Sequence, residues 1–73
     1  MYRIYQKQGN KILRSLTVNT DGMIKALTTA YPSDAQKAIT EKHKIEDGIP
    51  ITFKLKGFNW RIVKLHDRSL DAL

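Results

Sequence analysis

Catalysis needs a nucleophile, an acid–base pair or a set of metal ligands in fixed geometry, and few side chains in this chain could supply one. There are two histidines, His43 and His66, and no cysteine. His43 stands four residues after Ile39 in a stretch with helical spacing. There it reads as a partly buried amphipathic contact and not as a ligand. His66 is followed directly by Asp67. Adjacent residues on a strand point to opposite faces, so this pair reads as a strand end and a helix cap, not as an oriented base. No HxxxH spacing, paired-carboxylate motif or phosphate-cradling glycine loop occurs. The chain is expected to be no enzyme and to hold neither metal nor cofactor. The best enzymatic alternative is metal-independent RNA cleavage, with His66 working among lysines and arginines around a phosphate.

What remains is the chemistry of fixed charge. The net charge is +6, and it is unevenly spread. Residues 1–20 hold four bases (Arg3, Lys7, Lys11, Arg14) and no acid, and residues 48–66 hold four more (Lys54, Lys56, Arg61, Lys64), again with no acid. Residues 21–47 carry four bases against five acids. A one-sided cluster of cations attracts polyanions by releasing their counterions, and an aromatic ring among the cations can stack on an unpaired base. Arg3, Tyr5 and Lys7 share one phase of a strand, as do Lys54 and Lys56. Strand lysines also keep sheet edges from pairing, so the same pattern fits a merely solvated face.

The elements that must position these residues follow from periodicity. Residues 2–7 and 12–18 read as a hairpin about the turn Gly9-Asn10, with Ile12, Arg14, Leu16 and Val18 in one phase. A cation in that apolar phase implies a sheet edge, a snorkelling stem or a bulge. The period then changes to 3.6. Met23, Ile24, Leu27, Ala30 and Tyr31 form one helical stripe, capped by Thr20 or Asp21 and ended by Pro32. Ser33 to Gln36 matches a capping box and starts a second helix with Ala35, Ala38 and Ile39 as its apolar stripe. Asp47-Gly48 stops it. Only Pro32-Ser33 separates the helices, too short for a DNA-reading helix-turn-helix, and the second helix is nearly neutral.

Residues 49–56 alternate cleanly, placing Ile49, Ile51, Phe53 and Leu55 inward and Thr52, Lys54 and Lys56 outward. A turn at Gly57-Phe58-Asn59 leads to a fourth strand, residues 60–66, in which Trp60 and Ile62 compete with Val63 and Leu65 for the inner face. A bulge near Arg61 would turn both pairs inward, and a strand covered on both sides is the alternative. Trp60 fits either a core-closing role or that of an aromatic anchor. Asp67 then caps a last helical turn holding Leu70 and Leu73.

The fold class is therefore α+β in the order ββααββ, a four-stranded, mainly antiparallel sheet with two helices on one face. A β-grasp-like mixed sheet is the alternative. Residues 1–73 are expected to form a single small basic domain. At 41% apolar and 27% charged the composition suits a folded domain and not a disordered tail. The N-terminus reads as a strand and not as a signal peptide, and no apolar run nears the roughly 20 residues of a membrane helix. A full-length cytoplasmic protein without membrane contact is expected.

The functional expectation is a binding module that contacts DNA or RNA. Arg3, Lys7, Lys54, Lys56, Arg61 and Lys64 would meet phosphate, with Tyr5 and Trp60 stacking. The alternative is a protein-interaction or inhibitor module, which binds an acidic protein partner or forms a homodimer through an exposed strand edge.

Overall fold

A computed structural model describes residues 1–65 of the protein. Along the chain come β1 (Tyr2–Gln8), β2 (Lys11–Val18), α1 (Thr20–Ala30), α2 (Ala35–Glu46), β3 (Ile51–Leu55) and β4 (Phe58–Lys64). The strands form one sheet in the order β2-β1-β4-β3, and every neighbouring pair is antiparallel. This is the ββααββ arrangement expected from the sequence. The β-grasp alternative would need β1 beside a parallel strand, whereas both neighbours of β1 run against it.

The core follows from register. Leu16, Ile4, Ile62 and Ile51 are consecutive cross-strand partners, so they stand in one row across all four strands on one face. Ile4, Ile62 and Ile51 are buried there with Tyr2, beneath Met23 and Leu27 of α1 and Ile45 of α2. The stripe of α1 is rotated slightly from the expected one: Met23 is fully buried, while Ile24 remains 38% exposed. Ile45 is fully buried and was not among the expected core residues. It lies seven residues after Ala38, two helical turns along the same face, and that spacing was the available signal. Ile39 and His43 are exposed, so His43 is not the partly buried contact expected. Phe53 and Leu55 take the inner phase as expected but are only half-buried, and Ile49 lies before β3 and is exposed.

The helix boundaries show which of several polar residues acts as a cap. Asn19 caps α1, its side-chain oxygen accepting from the Gly22 N–H at 2.9 Å, in place of Thr20 or Asp21. Asp34 caps α2 by accepting from the Lys37 N–H at 3.0 Å, so Ser33 and the expected capping box are displaced by one residue. An ionised carboxylate is the stronger acceptor for an orphan N–H, and it also favours the positive end of the helix. Asp34→Ala is therefore expected to cost about 1 kcal/mol while Ser33→Ala costs almost nothing, read from urea midpoints. Gly22 is required where α1 folds back over β2, because a Cβ there would lie 2.8 Å from Val18 Cβ. Tyr31 closes α1 and meets the Phe53 ring with centroids 5.9 Å apart. Burial, and then the charge of Glu41, raises its hydroxyl above the usual tyrosine value.

Two departures from strict alternation matter for the site. The register between β1 and β2 slips at Gln6/Lys7, so that Arg14 faces Gln6 while Ile12 faces Lys7. Leu13 is thus the extra residue of a bulge, and Ile12 moves to the face opposite Arg14, Leu16 and Val18. On β4 no bulge occurs at Arg61, since its register with both neighbours is unbroken. Trp60 and Ile62 win the inner face, and Val63 points outward. The last helical turn and the His66-Asp67 pair lie outside the described residues.

Candidate nucleic-acid interface

The sheet face away from the helices is set by the partners of the inner row. On β1 it takes Arg3, Tyr5 and Lys7, and on β4 it takes Asn59, Arg61 and Val63. Thr52 and Lys54 of β3 join them, with Ile12, Ser15 and Thr17 from β2. Register arranges them in rows. Ser15, Tyr5, Arg61 and Thr52 are consecutive partners across the four strands. Ile12, Lys7, Asn59 and Lys54 form the adjacent row. Thr17, Arg3 and Val63 form the row on the other side of Tyr5. Same-face neighbours along a strand are about 6.8 Å apart and strands about 4.8 Å apart, so Arg3, Lys7 and Arg61 stand immediately around Tyr5.

None of the four strands contains an aspartate or glutamate. The two ion pairs among the described residues, Lys42–Glu46 and Lys44–Glu41, both lie within α2 and leave the strand cations unneutralised. Arg3 is held across the sheet, one terminal N–H donating to Thr17 Oγ1 at 3.2 Å. Its Nε is buried without a hydrogen-bond partner, so the guanidinium lies low on the face. Tyr5, Lys7, Ile12, Arg61 and Val63 line a shallow depression of about 330 Å³. The arrangement offers one aromatic ring and two aliphatic side chains among cations, with few groups that could read base edges.

Of the eight residues expected at this site, Arg3, Tyr5, Lys7, Lys54 and Arg61 share the outer face. The other three do not. Lys56 lies in the turn between β3 and β4, where its φ of 56° and the 82° of Gly57 make the two-residue hairpin connection. β3 ends at Leu55, so its alternation stops one residue short of Lys56. Trp60 faces the helix side, and its indole N–H donates to the Leu55 carbonyl at 3.1 Å. Lys64 also lies on the helix side, where its ammonium donates to the Glu46 carbonyl at 3.1 Å. A cation there also suits the negative end of α2. Thr17, Ile12 and Val63 were not foreseen at the site. Their positions depend on the β1–β4 pairing and on the bulge, which only weak cues announce. The left-handed backbone at Lys56 suits asparagine better than lysine, so Lys56→Asn is expected to raise stability by about 0.5–1 kcal/mol in thermal melts. That substitution removes a cation and should leave binding at the outer face unchanged.

His43 does not join this face, because it lies on α2. Among the described residues no group of His, Asp and Glu is placed to hold a metal ion. No helix among them is long and apolar enough to cross a membrane. The chain matches no protein-family model, no curated protein and no solved structure. The functional reading therefore rests on this geometry.

Proposed function

We propose that this chain binds single-stranded DNA or RNA on the outer face of its sheet and performs no chemistry on it. The observation that carries the reading is Tyr5, a half-buried ring amid Arg3, Lys7, Lys54 and Arg61 on a sheet whose strands hold no acid. Phosphates laid along these cations release counterions, and an unpaired base stacks on the ring beside Ile12 and Val63. A duplex keeps its bases stacked inside and offers this surface only phosphate. Asn59, Thr52, Ser15 and Thr17 are the neutral polar side chains of the face beside Tyr5, and Thr17 is already engaged by Arg3, too few for strong sequence preference.

The test is fluorescence anisotropy with labelled single-stranded and duplex oligonucleotides of mixed sequence. Tyr5→Ala is expected to weaken single-strand binding by about 1–3 kcal/mol, the worth of one stacked base, and to change duplex binding little. Equal losses on both, or none on either, would remove the stacking reading.

A further inference from the structure

The helix side of the sheet carries a second open surface. Beside α1 lies a groove of about 500 Å³, lined by Leu16, Phe53, Leu55 and Trp60 of the sheet together with Arg14 of β2 and Lys25 of α1. Leu16 shares the helix side with the core, yet the helices leave it 40% exposed. Along this groove runs β2, an edge strand whose residues 11–17 are all exposed. Edge strands present unpaired backbone N–H and C=O groups, which proteins commonly guard with charge, proline or a bulge. On β2 those guards stand toward the β1–β2 turn: Lys11, the bulge at Leu13, and Arg14. Ser15, Leu16, Thr17 and Val18 carry none of them, and this is the half whose Leu16 and Val18 line the groove.

Charge selects the occupant. Arg14 and Lys25 are exposed and take part in neither ion pair of the described residues. No carboxylate lines the groove. A second copy of this chain would add its own Arg14 and Lys25 to a surface already positive, on a molecule of net charge +6. We infer that β2 takes up an extended acidic polypeptide segment as an added strand, with apolar side chains against Leu16 and Val18 at the rim of the groove and carboxylates at Arg14 and Lys25. Main-chain hydrogen bonds supply the register and the groove selects the side chains, the usual division of labour in strand addition. This inference uses the helix side and the sheet edge, and does not depend on oligonucleotide binding at the outer face.

The probe is a fluorescein-labelled peptide, Glu-Glu-Val-Glu-Val-Glu-Glu, titrated with the full chain. Two controls accompany it: the same peptide with every glutamate replaced by lysine, and its fully backbone-N-methylated form. The acidic peptide is expected to bind at least roughly tenfold more tightly than either control. The double variant Arg14→Glu with Lys25→Glu should lower that affinity by roughly tenfold and favour the lysine peptide instead. Leu16→Lys should weaken binding by a similar factor, and Lys54→Gln with Arg61→Gln should not change it. All of these positions are exposed, so unchanged thermal midpoints would show that the fold is intact. Three results would overturn the inference: no preference between acidic and basic peptides, undiminished binding of the N-methylated form, or a dimer in sedimentation equilibrium that Leu16→Lys converts to monomer.

Discussion

Ile62→Ala is expected to remove about half of the stability of this protein. Ile62 is fully buried, faces Ile4 on one side and Ile51 on the other, and lies in the cluster with Met23, Leu27 and Ile45. Losing a buried aliphatic side chain costs about 2–5 kcal/mol, because the cavity adds to the lost transfer free energy. A chain of this size has about 4–11 kcal/mol in all, at the usual 0.05–0.15 per residue. Phe53→Ala removes more atoms but should cost less, since Phe53 is only half-buried, packed against the core with its ring beside that of Tyr31. Urea unfolding followed by circular dichroism decides between them. A smaller midpoint loss for Ile62→Ala than for Phe53→Ala would show that the centre of the core lies nearer β3.

The second large effect concerns charge. With four cations on the outer face, log K for a single strand should fall against log salt with a slope of about −3, at roughly −0.7 per phosphate. Affinity would then drop roughly fiftyfold between about 50 and 200 mM salt. The triple variant Lys7→Gln, Lys54→Gln, Arg61→Gln leaves Arg3 alone on that face. Its slope should flatten to about −0.7, with only a two- to threefold loss, roughly, over the same interval. Lys64→Gln is the matched control: it removes a strand cation from the other side of the sheet and should leave the slope as it was. If Lys64→Gln flattens the slope as much as one of the three, net charge and not the outer face governs binding.

How far such arguments could be made from sequence depends on parity. The alternation through Ile51, Phe53 and Leu55 assigned those side chains to the right face, and the helix pair was marked by the change of period and by Pro32. Parity failed wherever one residue more or less changed it. The bulge at Leu13 sent Ile12 to the outer face, and the turn at Lys56-Gly57 took Lys56 off the strand. On β4 the apolar residues alternate with no preferred phase, and only the cross-strand row through Ile4 and Ile51 makes Ile62 the inward one. The caps failed for a different reason. Ser33 and Asp34 both carry acceptors, one residue apart, and the capping-box spacing to Gln36 pointed to the serine although the carboxylate is the stronger acceptor. The outer face was therefore readable in kind, as basic strands with a tyrosine, but not in membership.

The two middle strands of the sheet, β1 and β4, come from opposite ends of the described chain, and the Leu65 N–H donates to the Met1 carbonyl at 3.0 Å beyond their last paired residues. The outer pairings, β1 with β2 and β3 with β4, are local hairpins that can zip within microseconds. Joining them means closing a loop of about 60 residues before any central contact is gained, the kind of long-range step that slows folding. During synthesis the first hairpin must wait, with one long side of β1 unpaired and Ile4 uncovered, until β4 has been made. In that interval the strand that will be the best protected in the finished protein is the one most open to pairing with another chain.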